Sequence, residues 1–243
     1  MIDATNFLPN ATKLTESRIK QIVRYIIYCY QKMVSENKKY YYADSGKLSK
    51  EVFLKNGLVD DYLQKTSNIE YFKRNISDNQ SVEITFAREA SMTFTDIDTN
   101  DFRSDMIDIS IWTSALQSAW SNETDDQVKF AIECKRICVL SDANKYLIDT
   151  ENYCNRNFIL TRLPFEGQIA FIENASISNT MLQDNLNTLL INHKIIKTKM
   201  MLTQEKLKDT FDGTYLSKHY RSFNDSEFAI YHIFLDYSCI ISE

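Results

Sequence analysis

Glu133 and Lys135 stand one residue apart in Phe130-Ala131-Ile132-Glu133-Cys134-Lys135-Arg136, and Asp108 lies upstream in Ile107-Asp108-Ile109-Ser110-Ile111. Side chains alternate across a strand, so Glu133 and Lys135 leave the same face while Cys134 points into the core between them. Two acids beside an ammonium group suit metal-assisted hydrolysis of a phosphodiester. That bond resists attack because water is a poor nucleophile and negative charge builds on the phosphoryl oxygens and the leaving group. Mg²⁺ prefers hard oxygen ligands and keeps several waters, so two carboxylates and a main-chain carbonyl suffice to hold it. Asp108 and Glu133 can supply the carboxylates if their strands are neighbours. Lys135 can then orient the attacking water and offset charge in the transition state.

The triplet alone is weak evidence, since Glu36-Asn37-Lys38 repeats it among polar residues at a helix end. Context separates the two. Glu133 ends an apolar alternating strand running from Val128, and the strand of Asp108 precedes it by a hairpin distance. In that earlier strand the spacing predicts Ile107, Ile109 and Ile111 on one face and Asp108 on the other.

The elements that must position these residues follow from periodicity. Ile19, Ile22, Val23, Ile26, Tyr30 and Met33 predict an amphipathic helix over Glu16 to Met33, capped by Thr15. A second helix is predicted over Lys50 to Lys65, interrupted at Asn56-Gly57. At Val82 the pattern turns to alternation, which continues to Thr95 as a strand or hairpin. A helix over Glu151 to Leu163, closed by Pro164, leads to a short strand over Gln168 to Ile172 opened by Gly167. Another helix is expected from Thr180 to about Ile195, and a hairpin pairs Tyr215 to Arg221 with Ser226 to Tyr237 across Asn224-Asp225.

Over roughly Val82 to Asn174 these residues resemble the PD-(D/E)XK superfamily of restriction-type endonucleases, including bacterial members of restriction and phage-defence type. The resemblance rests on the Asp108 strand, the Glu133 strand, and Tyr153 through Phe158 leading into Gly167-Gln168-Ile169-Ala170-Phe171-Ile172. It implies a mixed α/β fold with an αβββαβ core, in which a central mixed sheet is flanked by helices. A helical N-terminal extension and a C-terminal hairpin complete the expected fold. It implies a Mg²⁺- or Mn²⁺-dependent nuclease in which Asp108 and Glu133 hold the metal, the Cys134 carbonyl joins them, and Lys135 assists the water. The chain departs from the family in having Ile107 where proline often precedes the acid. Asp105 competes with Asp108, which is preferred because it begins the alternating strand. The further upstream glutamate that members often carry is matched best by Glu89, with Glu83 as the alternative. Arg136, Arg156 and Arg162 are candidates for binding phosphate.

A chain of 243 residues with 44% hydrophobic content can bury one sizeable core. It is read as a single domain: a helical portion over 1–80, a catalytic core over 81–175, and a helix and hairpin over 176–243. Five scattered cysteines without a C-x-x-C pair suggest neither disulfides nor a zinc knuckle, and a reducing cytoplasm is the simplest home. No signal peptide or membrane span is expected. His193, His219 and His232 form no ligand pattern. The net charge of −5 speaks mildly against a protein that coats nucleic acid, whereas Asn192 to Arg221 is locally basic, read first as a solvated helix face and otherwise as a patch. The expected activity is cleavage of nucleic acid, DNA in the first instance, in a homodimer or with partner proteins of a defence system. The rival readings are an inactive member of the same fold that binds nucleic acid or protein, and an unrelated α+β interaction domain.

Overall fold

The computed structural model describes residues 4–77, 79–95, 101–120, 128–158 and 163–242. The chain opens with α1 (Ala4–Ser35), whose stripe of Ile19, Ile22, Val23, Ile26 and Met33 is fully or almost fully buried. Thr15 does not cap this helix. The helix begins at Ala4, and the buried Thr15 hydroxyl finds no partner inside it, so packing outweighs capping at that position. A short strand, β1 (Tyr40–Tyr41), leads through a turn at Gly46, with φ +60, to α2 (Lys50–Leu58). Ser49 caps α2 by accepting the Val52 N–H at 3.2 Å. The predicted interruption at Asn56-Gly57 is absent, because the helix runs on into a wider π-helical turn over Val59–Leu63. Gly57 admits a neighbour: a Cβ there would lie 2.5 Å from the Tyr40 ring. Then comes α3 (Thr66–Asn75).

The sheet begins with the long hairpin of β2 (Ile84–Thr95) and β3 (Phe102–Thr113), in register from Ile84↔Thr113 to Thr95↔Phe102. A short helix, α4 (Ser114–Trp120), precedes β4 (Phe130–Ile137). Next come α5 (Ala143–Asn155), β5 (Asn157–Phe158) and β6 (Phe165–Ile172). The chain continues with α6 (Asn179–Ile191), β7 (Thr198–Gln204), β8 (Thr214–Tyr220), β9 (Glu227–Asp236) and β10 (Ile241–Ser242). Among the described residues the strands form one eight-stranded sheet, ordered β5-β2-β3-β4-β6-β9-β8-β7, and a parallel pair of β1 with β10. β2, β3 and β4 are antiparallel neighbours, and β4, β6 and β9 run parallel. The mixed α/β fold is as expected, and its helix, three strands, helix and strand follow in order with α4 inserted before β4 and β5 before β6.

Two apolar layers cover the sheet. On one face, α1 and α2 pack on Ile109, Ile111, Phe130, Ile132, Cys134, Ile169 and Tyr231. On the other, α5 and α6 pack on Ala131, Ile137, Ala170, Ile172 and Phe234. Ile107 joins the second layer although Ile109 and Ile111 belong to the first, so the three isoleucines do not share a face. The chain kinks between them. Glu89, across the hairpin from Asp108, takes φ +50, and the ladder skips that pair between Arg88↔Ile109 and Ala90↔Ile107.

Three other expectations are corrected. The helix placed over Glu151 to Leu163 ends earlier, stopping at Asn155 before β5, and begins earlier, because the Asp142 carboxylate accepts the N–H groups of Cys138 at 3.0 Å and Val139 at 3.1 Å and turns the chain straight out of β4. β6 starts before Gly167, whose missing Cβ leaves room for Ile132, a contact that would otherwise close to 2.8 Å. The basic stretch follows the end of α6 and forms strands β7 and β8, so it is no helix face and the expected hairpin gains an edge strand. Five of its cations are met by acids: Lys197 by Asp225, Lys199 and Lys218 by Glu227, Lys206 by Asp209, and the buried Arg221 by Glu166 at 3.0 Å. No helix among the described residues is long and apolar enough to cross a membrane.

Candidate active site at the fork of two strands

β3 and β4 are paired only from Ile109↔Ile132 to Ile111↔Phe130. Beyond that ladder β4 continues beside β6, and its edge toward β3 needs other partners for its main-chain groups. Carboxylates supply them. Asp108 Oδ2 accepts the Cys134 N–H at 2.9 Å, and Glu51 Oε2 from α2 accepts the Arg136 N–H at 3.1 Å. In an antiparallel pair the N–H and C=O of one residue leave on the same side, so the Cys134 carbonyl is also directed into this fork. The Cys134 thiol is buried in the first core layer, as its place in the alternation requires.

The fork gathers charge from both layers. Lys135 lies 3.4 Å from Glu51 and 3.3 Å from Asp149 of α5. Lys55, one helical turn after Glu51, has its side chain 1% exposed and reaches Asp108 Oδ1 at 2.9 Å and Glu89 Oε1 at 3.2 Å. Arg156 approaches Glu133 at 3.9 Å, but its closer partner is Asp105, and its guanidinium lies over the Phe94 ring. Among the described residues, Glu51, Asp108, Glu133 and Asp149 thus face two ammonium groups, Lys55 and Lys135, with Arg156 shared outward.

This surplus of acid moves protons. Burial, and then the negative charges of Asp149 and Asp108, push Glu133 up to about 9 against the pull of Lys135. Burial beside these acids therefore favours the protonated form of Glu133, with Asp108 as its neighbour. Burial also pushes Asp149 up to about 6, with Lys135 opposing and Asp108 and Glu51 adding to the rise. Lys135 is pulled down by burial, but Asp149, Glu51 and Asp108 outweigh it and hold the ammonium above an ordinary lysine. The buried Asp149 Oδ2 has Lys135 as an ion-pair partner without an aligned hydrogen bond.

Of the residues singled out from the sequence, Asp108, Glu133, Lys135 and the Cys134 main chain meet at the fork. Glu89 is attached to it through Lys55 and is half exposed, while Glu83 is exposed at the other end of β2. Asp105 is taken by Arg156. Arg136 emerges on the opposite face from Glu133 and is engaged by Glu173, with Nη2 to Oε2 at 2.7 Å, above the Tyr42 ring. Arg156 stands beside the site, and Arg162 lies outside the described residues. His219 and His232 do converge, each 2.7 Å from the Ser217 hydroxyl, but all three are buried in the sheet away from the fork.

Sequence reasoning missed Glu51, Lys55 and Asp149. Each had a signal in helical periodicity. Glu51 and Lys55 share the stripe of Leu54, Leu58 and Tyr62, and Asp149 shares that of Tyr146, Thr150 and Tyr153, so each is a charge set in a buried stripe.

Among the described residues no three acid, imidazole or thiol side chains stand together as a metal-ligand set. A divalent ion would rest on Asp108, Glu133 and the Cys134 carbonyl, a sparse donor set that suits Mg²⁺ because that ion retains several waters. The excess of acids around Glu133, which raises its affinity for a positive charge, fits such an ion. Compared with protein-family models, curated proteins and solved structures, the chain matches none.

Proposed function

We propose that this protein is a metal-dependent nuclease that hydrolyses phosphodiester bonds in DNA, of the PD-(D/E)XK kind that its sequence resembles. The supporting observation is the meeting of Asp108, Glu133 and Lys135 in one buried fork where carboxylates outnumber cations. Asp108, Glu133 and the Cys134 carbonyl would hold Mg²⁺ or Mn²⁺. Such an ion supplies Lewis-acid stabilisation of phosphoryl charge and lowers the pKa of a bound water. Lys135, fixed between Glu51 and Asp149, keeps its proton and offers positive charge to the attacking water and the developing oxyanion. Asp149 is the group best poised to take a proton near neutral pH, at about 6.

Purified protein is expected to cut DNA with Mg²⁺ or Mn²⁺, and Glu133→Ala and Lys135→Ala are each expected to lower the rate by about 10²-fold or more. Equal cutting by wild type and both variants would mark a contaminating nuclease and remove the case.

One observation favours a second reading, a nuclease-like fold that binds without cutting. Lys55 already sets a positive charge on Asp108. On that reading DNA or a partner protein is retained equally with and without divalent ions, and no cutting is seen at any metal concentration.

A further inference from the structure

Both oxygens of Asp108 are engaged. Oδ2 accepts the Cys134 N–H at 2.9 Å, and Oδ1 receives the Lys55 ammonium at 2.9 Å. Lys55 comes from the buried stripe of α2 and is 1% exposed, so water cannot take over the role of its partners. Its Nζ also lies 3.2 Å from Glu89 Oε1. Glu89 is of a different kind: its side chain is 49% exposed, and it sits at the kink with φ +50, directly across from Asp108. The lysine thus has two acceptors within reach, one at the heart of the fork and one at its rim.

We infer that Lys55 is a resident cation of the site, competing with a divalent ion for Asp108 and moving onto Glu89 when that ion binds. The inference rests on the metal-dependent reading above and adds regulation of the same site. A buried ammonium and a metal ion cannot both sit on one carboxylate without strong repulsion, because unit charges about 4 Å apart interact by several kcal/mol even at an effective dielectric of about 20. The terminal bonds of Lys55 need only turn the ammonium away from Oδ1, since its hydrogen bond to Glu89 is already made. The pair explains why Glu89, a strained residue without core contacts, carries an acid: it receives the lysine. Lys55 here is a positioning residue that sets how tightly metal is held and makes no contact with substrate.

The test is Mn²⁺ binding by the full chain, followed by isothermal calorimetry without nucleic acid, in wild type, Lys55→Met and Lys55→Gln. Circular dichroism confirms that each variant is folded, and the glutamine variant, which keeps a donor for Asp108 without the charge, guards against failure of the methionine variant to fold. Both variants are expected to bind Mn²⁺ at least about tenfold more tightly than wild type, since the competing charge is gone. Wild type and folded variants binding Mn²⁺ with equal affinity would overturn the competition and leave the nuclease reading standing. Weaker binding in the variants would also overturn it, by making Lys55 a supporter of the metal. Absence of Mn²⁺ binding in wild type and in both folded variants would overturn the metal-dependent reading and this inference with it.

Discussion

Glu133→Gln is the most informative substitution for the physics of the fork. The carboxyl is pushed to about 9 in the folded protein by burial and by Asp149 and Asp108, whereas in the unfolded chain it titrates near ~4.3. Folding therefore takes up one proton at any pH between these values. A carboxyl raised in this way leaves stability intact below its unfolded pKa and removes it progressively as pH rises through the folded value. Each pH unit in the window costs ~1.4 kcal/mol, so a move from about pH 6.5 to about pH 8.5 costs ~3 kcal/mol through this group. That range begins above Asp149, which is raised only to about 6 and so is mostly ionised throughout. Glutamine mimics the protonated acid and has no proton to lose. Urea unfolding at the two pH values should show wild type losing ~3 kcal/mol more than Glu133→Gln. Parallel losses in the two proteins would refute the protonated state of Glu133. A ligand must be deprotonated, so metal binding at neutral pH should release about one proton. The release is measurable as a dependence of calorimetric enthalpy on the ionisation heat of the buffer.

Further expectations concern the groups around the site. Arg221→Ala should destabilise the fold by about 3–5 kcal/mol in chemical unfolding, because it leaves the buried Glu166 without the guanidinium at 3.0 Å; a loss below about 1 kcal/mol would show that the pair is solvated. Gly57→Ala should cost about 1–3 kcal/mol, since the new Cβ meets the Tyr40 ring at 2.5 Å, and an unchanged unfolding midpoint would show that Tyr40 moves aside freely. Glu51→Gln keeps an acceptor for the Arg136 N–H but loses the ion pair to Lys135, so metal-dependent cleavage should fall about tenfold while stability changes by no more than about 1 kcal/mol. A drop in cleavage matched by an equal loss of folded protein would instead assign Glu51 a purely structural role.

Much of the sheet was legible because a strand with one polar and one apolar face writes that difference into alternate residues. The β4 segment from Phe130 to Ile137 is an example: Phe130, Ile132 and Cys134 pack on the α1 and α2 layer, and Glu133 and Lys135 leave by the other face, which they share with Ala131 and Ile137. The hairpin of β8 and β9 was readable for the same reason, together with its Asn224-Asp225 turn. Glycine misled the reading twice. Gly57 and Gly167 looked like punctuation, yet each lies inside an element, at a point where another side chain passes too close for a Cβ. The run of lysines before Arg221 looked like a helix face or a patch because composition does not show partners. The acids that answer it, Asp225 and Glu227 among them, come from the next turn and strand.

By itself the sequence determined the change from helices to strands near Val82, the strands of Asp108 and Glu133, and the shared face of Glu133 and Lys135, because these follow from local periodicity and from the alternation of side chains along a strand. Only the tertiary structure decided that β3 and β4 part just after Ile109 and Ile132, that Asp108 turns into the gap, and that Glu51, Lys55 and Asp149 reach it from two helices. Those three side chains come from opposite faces of the sheet and from widely separated parts of the chain. Their charges acquire meaning only through distance and burial, and no spacing along a linear chain encodes either quantity.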